Sequence, residues 1–159
     1  MNNSAYEAAL RSLVRRPHAE GELKQKLRRK NFTQMEIELA IEKLRGEGQI
    51  NDAQLACELV QWHLDYRPLG RMGLKRRLSL RCFKESHIEA ALEQVLTPEA
   101  EQKALRSLFE ARLRRTDLQQ LSEQKRRERL ARFALSRGFS TGLVLDQLDQ
   151  ALAQAPNLT

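Results

Sequence analysis

Three stretches of this chain superimpose without a gap, and a chain that repeats itself is restricted to architectures in which like units stack. The stretches are Leu23 to Leu44, Leu74 to Val95 and Leu130 to Ala151. In register, Leu23 matches Leu74 and Leu130, Leu27 matches Leu78 and Ala134, and Phe32 matches Phe83 and Phe139. Ile37 matches Ile88 and Val144, and Ile41 matches Leu92 and Leu148. The copies lie 51 and 56 residues apart, near the long end of the spacing found in repeat arrays. A recurring Phe, preceded in two copies by the turn-compatible Asn31 and Gly138, separates true repetition from chance alignment of Leu-rich helices.

Each copy reads as two helices joined by a tight turn. Leu23 and Leu27 are one helical turn apart, Asn31 suits a left-handed cap, and Thr33 with Glu36 forms a capping box. Ile37, Ile41 and Leu44 then share one face of the next helix. In the third copy Gly138 takes the cap and Ser140 the next N-cap. The Phe just ahead of each new helix is placed to fix its entry angle as a hydrophobic staple.

A leading helix precedes each pair. Ala5, Ala8, Ala9 and Leu13 align with Ala56, Leu59, Val60 and Leu64. Asn51-Asp52 opens the second, and Thr97-Pro98-Glu99 opens the third with N-cap, first-turn Pro and acid in order. The third leading helix runs toward Arg115, and the five extra residues of that copy fall between it and the next helix. The expected fold is all-α: three tandem three-helix repeats, residues 1–46, 51–96 and 97–155, in an elongated, curved array. Leu, Ala, Arg, Lys, Glu and Gln dominate, all of which lose little rotamer freedom in a helix.

Charge is sorted by helix. The net charge is +7, which attracts polyanions by steering and counterion release. The middle helices hold Lys24, Lys26, Arg28, Arg29 and Lys30, then Arg71, Lys75, Arg76, Arg77 and Arg81, then Lys125, Arg126, Arg127, Arg129, Arg132 and Arg137. The last helices are acidic, with Glu36, Glu38 and Glu42, then Glu85, Glu89 and Glu93, then Asp146 and Asp149. Two readings follow. Basic and acidic helices can pair as solvated faces, each pair contributing at most about 1 kcal/mol. Alternatively the middle helices form a basic stripe that tracks a phosphate backbone or an acidic protein groove. The excess of positive charge favours the stripe. Trp62 and Tyr66, beside His63 and Arg67, form either a stacking patch or an intermodule anchor, the anchor being favoured.

These residues resemble a known family. Glu22-Leu23-Lys24 with Lys26-Leu27 and Asn31-Phe32, then Ile50-Asn51-Asp52 with Leu55-Ala56, occur in order and spacing similar to the RecX family. Arg67 with Gly70, Leu74 and Leu78, and Arg137-Gly138-Phe139, complete the resemblance over nearly the whole chain. Departures are Ala19, where the family often has Ser ahead of the first middle helix, and Cys82-Phe83, where Gly and an aliphatic residue are usual. The resemblance implies a regulator in DNA repair, recombination and the SOS response. It would lie in the helical groove of a RecA–DNA filament, bridge protomers, and limit filament growth, strand exchange and RecA's ATP hydrolysis. Expected partners are the RecA filament and single- or double-stranded DNA, met directly or through the filament, with the protein itself a monomer. Lys24, Arg28, Arg71, Lys75, Arg76, Arg126, Arg127 and Arg132 are the expected contacts.

Catalysis is not expected. No phosphate loop is present, and Gly70-Arg71-Met72-Gly73 reads as a helix start rather than a phosphate clamp. His18, His63 and His87 are scattered, and neither Cys82 with His87 nor Cys57 with His63 completes a metal set, so no catalytic residue, metal or cofactor is assigned. The two cysteines suggest no disulfide framework, no secretory leader is visible, and no apolar run spans a bilayer, so a cytoplasmic protein without membrane contact is expected. The rival readings are an autonomous, sequence-nonspecific DNA-binding protein using its basic middle helices, and a helical adaptor for another acidic protein.

Overall fold

The computed structural model describes residues 4–153, and every regular element among them is a helix. In chain order these are α1 (Ala5–Arg15), α2 (Glu20–Arg28), α3 (Gln34–Gly46), α4 (Asp52–Tyr66), α5 (Arg71–Leu80), α6 (Glu85–Val95), α7 (Pro98–Leu113), α8 (Thr116–Gln119), α9 (Glu123–Ser136) and α10 (Thr141–Ala153). The fold is all-α. The expected outer bounds at residues 1 and 155 lie outside the described residues.

The repeat reaches the backbone dihedrals. Asn31, Cys82 and Gly138, the equivalent positions of the three copies, all have positive φ, at 63°, 61° and 83°. Each closes the preceding helix with the same pair of bonds. The Asn31 N–H donates to the Arg28 carbonyl (2.9 Å) and the Phe32 N–H to the Leu27 carbonyl (3.3 Å). Cys82 and Phe83 repeat this on Ser79 and Leu78, Gly138 and Phe139 on Leu135 and Ala134, at the same two distances. This is the Schellman arrangement, in which the left-handed residue lets two orphan carbonyls find donors. Cys82 adopts it despite its Cβ, so the departure from Gly is strained locally without changing the turn.

Sequence capping also holds at the helix starts. Thr33 and Glu36 form the full capping box at α3, and Thr97 Oγ1 accepts from the Ala100 N–H (3.2 Å) ahead of Pro98 in α7. Asn51 Oδ1 accepts from the Gln54 N–H at 3.1 Å, and Ser140 Oγ from Leu143 at 3.3 Å. The extra residues of the third copy form α8, whose Leu118 is buried.

The described chain gathers into two compact units. One contains the residues up to Leu59 with Arg77–Ala91, the other Val60–Arg76 with the residues from Leu92 onward. Helices α4, α5 and α6 therefore each contribute residues to both. In the first unit, Ala8 and Ala9 of α1 let α3 approach closely, and Leu23, Leu27, Ile37, Ile41 and Leu44 fill the core between α1, α2 and α3. Phe32 packs on the same cluster, as a staple should. In the second unit α7 packs on α8, α9 and α10, burying Leu105, Phe109, Leu118, Leu130, Val144 and Leu148. Each such full burial contributes about 1.5–3 kcal/mol before entropy is counted.

Two junctions set the positions of the middle helices. In the first unit the first turn of α2 presses on the turn after α5, where a Cβ on Gly21 would overlap the Cys82 carbonyl oxygen and lie 2.9 Å from the Cys82 Cβ. In the second unit the first turn of α5 presses on the turn after α9. The Gly70 N–H donates to the Arg137 carbonyl (3.1 Å) and the Met72 N–H to the Gly138 carbonyl (3.2 Å). A Cβ on Gly138 would overlap the Gly73 nitrogen and sit 2.6 Å from its Cα. Gly70-Arg71-Met72-Gly73 is thus a helix start whose glycines serve backbone approach.

Candidate functional site

The first two middle helices, α2 and α5, begin without side-chain caps of their own, and the structure supplies caps from a distance. Ala19 precedes α2 and makes no capping bond. The Glu20 N–H instead donates to Asp52 Oδ1 (2.9 Å), a carboxylate at the start of α4. In the second unit the Arg71 N–H, which opens α5, donates to Glu101 Oε1 of α7 (2.9 Å). A carboxylate at an N-terminus also meets the positive end of the helix dipole. Burial pushes the Asp52 carboxyl up, against the Glu20 N–H, which favours the charged form. His87 Nδ1 lies 3.9 Å from Asp52 Oδ2.

The two acidic side chains on α2 are paired internally. Glu20 accepts from Lys24 (2.8 Å) and from Arg45 (2.6 Å). Burial pushes its carboxyl up, but the hydrogen bonds from Arg45 and Lys24 outweigh this and hold it below the usual carboxylate range. Glu22 pairs with Arg16 and sits 3.5 Å from Arg81, whose Nη2 also donates to the Pro17 carbonyl (2.7 Å). Its carboxyl too is pushed up by burial yet held low overall by Arg16 and by neighbouring positive charge. His18 is buried, with Nδ1 2.8 Å from the Arg16 carbonyl and Nε2 2.7 Å from the Lys26 ammonium. That geometry assigns the proton to Nδ1 and leaves Nε2 as acceptor, and burial holds the imidazole below its ordinary pKa.

The eight expected contact residues divide by exposure. Arg28, Arg76 and Arg132 are exposed. Arg28 reaches Gln34 Oε1 (3.4 Å), and Arg76 reaches the Ser136 carbonyl (3.5 Å). Among the described residues none of the three forms an ion pair. Lys24 is half-buried on Glu20, and Arg127 is half-buried on Asp149. Arg71 and Lys75 are half-buried and already have partners within the chain. Arg126 is half-buried, with its Nε unpartnered among the described residues. Some of the eight cations are therefore paired within the chain and others exposed.

Sequence reasoning missed Arg112. It lies on a leading helix, yet its guanidinium carbon sits 4.7 Å from the centre of the Phe133 ring, and that of Arg137 sits 5.2 Å away. The run Arg112-Leu113-Arg114-Arg115 was the available signal. Arg115 pairs with Asp117 at 3.3 Å.

Trp62 and Tyr66 stay at the surface, 43% and 72% exposed, with ring centroids 5.9 Å apart. That exposure fits a surface patch better than the anchor favoured from sequence. Among the described residues no three His, Cys, Asp or Glu side chains group as a metal site, and no helix is long and apolar enough to cross a membrane.

Ten helices among the described residues, with Arg28, Arg76 and Arg132 exposed on the middle helices, define an all-helical protein. The family model for the first three-helix domain of RecX matches residues 5–44, which are α1 to α3. The regulatory protein RecX of Streptomyces coelicolor is 30% identical over 145 residues, covering 91% of this chain and 76% of that protein. The regulatory protein RecX of Pelodictyon phaeoclathratiforme is 31% identical over 135 residues, covering 82% of this chain and 78% of that protein. The crystal structure of RecX from Lactobacillus salivarius has the same fold, with a TM-score of 0.78 at 25% identity over 94% of both chains. The chain belongs to the RecX family of regulatory proteins.

Proposed function

We infer that the chain binds in the helical groove of a RecA–DNA filament and restrains filament growth, strand exchange and RecA's ATP hydrolysis. One observation carries the reading. Glu20, Glu22, Asp52, Glu101 and Asp149 are engaged as caps or ion pairs at the middle helices, while Arg28, Arg76 and Arg132 face solvent. A surface so divided presents net positive charge outward, where a phosphate backbone or an acidic groove meets it. The three-helix module, residues 1–46, 51–96 and 97–155, is the unit of evolution in this reading, and the matched first RecX domain supports it.

Lys24, Arg71, Lys75, Arg126 and Arg127 contribute by fixing helices and potential, and the three exposed arginines make contact. Charge reversal of Arg28, Arg76 and Arg132 to Glu tests this. Lost inhibition of RecA with unchanged helicity is the expected result, and unchanged inhibition removes these arginines from the mechanism. The same exposed cations favour one rival, autonomous DNA binding. It differs in requiring tight binding to naked duplex without RecA, with a salt slope near 0.9 per phosphate neutralised.

A further inference from the structure

The geometry points to a phosphate-binding fork in the second unit, formed by Arg112 of α7 and Arg137 after α9 and braced by Phe133, that takes the backbone of single-stranded DNA. This rests on the reading that the chain works on DNA, and it adds a site outside the residues assigned above. Both guanidinium carbons lie against one ring, at 4.7 and 5.2 Å from its centre, so two separate elements bring their charges to the same side chain. Neither arginine forms an ion pair or a side-chain hydrogen bond among the described residues. A cation held against an aromatic ring keeps its donors pointed outward and has already lost much of its rotamer freedom. Binding an anion there costs less ordering entropy than recruiting two free side chains.

The helix end beneath the fork would ordinarily oppose an anion, because carbonyls point out of it. Here those carbonyls are occupied. The Gly70 and Met72 N–H groups bind the Arg137 and Gly138 oxygens, at 3.1 and 3.2 Å. The nearby acid Asp117 is held by Arg115 at 3.3 Å. More cations continue the row. Arg129 lies four residues before Phe133, on the helix face that carries Arg137 four residues after it. Arg76 reaches the last turn of α9 at the Ser136 carbonyl, 3.5 Å away. A row of that length exceeds what one free phosphate engages and suits successive phosphates of a strand.

The test is binding of the full chain to fluorescent oligothymidylate by anisotropy over a range of salt concentrations. The double variant Arg112→Gln/Arg137→Gln should flatten the slope of log K against log salt by about 1.4, two phosphates at about 0.7 each. The charge-matched variant Arg15→Gln/Arg106→Gln should leave the slope as in wild type. Phe133→Leu, which keeps every charge, should weaken binding severalfold. Circular dichroism melting of each variant separates lost binding from lost fold. A wild-type slope in the double variant, an equal drop in the control pair, or no oligothymidylate binding by the wild-type chain overturns the fork. Inhibition of RecA is measured in parallel. A wild-type chain that leaves RecA untouched, with a fork variant that binds DNA more weakly, sinks the filament reading and keeps the fork.

Discussion

Replacing Gly138 by Ala, compared with the same change at Gly48, isolates the value of the junction between α5 and α9. Both glycines are left-handed, with φ of 83° and 69°. A Cβ in that region costs about 1–2 kcal/mol wherever it is placed. At Gly48 nothing lies within 4 Å of the added atom, so the backbone term is the whole effect. At Gly138 the new Cβ would overlap the Gly73 nitrogen and stand 2.6 Å from its Cα, and backbone cannot rotate aside as a side chain can. Relief requires parting α5 from the turn. That lengthens the two bonds from Gly70 and Met72, worth about 1 kcal/mol each net, and adds about 1–3 kcal/mol of overpacking. Urea denaturation followed by far-ultraviolet circular dichroism should show a loss of about 1–2 kcal/mol for Gly48→Ala and at least about 3 kcal/mol for Gly138→Ala. Equal losses in the two variants would show that the glycine is there only for its dihedral and that the junction contributes nothing.

Three further outcomes follow from the same geometry. Cys82→Gly should raise stability by about 0.5–1 kcal/mol, the relieved left-handed strain less the added freedom of the unfolded chain, and a lower urea midpoint would contradict the strain. Asp52→Ala should cost about 1 kcal/mol because the Glu20 N–H loses its acceptor. Asp52→Asn should cost far less, and Ala19→Ser in the Asp52→Ala background should recover part of the loss; an equal cost for both Asp52 changes would refute the capping role. His18 is buried neutral with a lowered pKa, so the unfolded chain takes up its proton first as pH falls. Its contribution is complete above the unfolded pKa of about 6.5 and is lost as pH drops from there toward the lower folded value. Melting temperature should therefore fall more between pH 7.5 and 5.5 in wild type than in His18→Gln, and parallel pH profiles would contradict the assignment.

The parts of this account that sequence made legible are local. The left-handed turns at Asn31 and Gly138, the Thr33–Glu36 box and the Thr97-Pro98 start each involve residues within a few positions of one another. Their recurrence with Phe32, Phe83 and Phe139 exposed the repeat. Cys82 shows that the register of the repeat, more than the residue type, sets the turn. The hidden parts join distant residues. Nothing near Ala19 indicates that Asp52 will cap α2, or near Gly70 that Glu101 will cap α5, because the partners meet only once the helices pack. The same holds for Arg112 and Arg137, which lie 25 positions apart on different elements and converge on Phe133. Charge counting marked eight cations alike, whereas packing left three of them exposed.

The most direct test of the central claim is single-stranded-DNA-dependent ATP hydrolysis by RecA, with this protein titrated in at fixed moderate salt beside a naked-DNA binding control. The account predicts inhibition at protein concentrations well below those that coat free DNA. No effect, or inhibition only where the DNA itself is saturated, would contradict a filament regulator and leave a protein that acts on DNA alone.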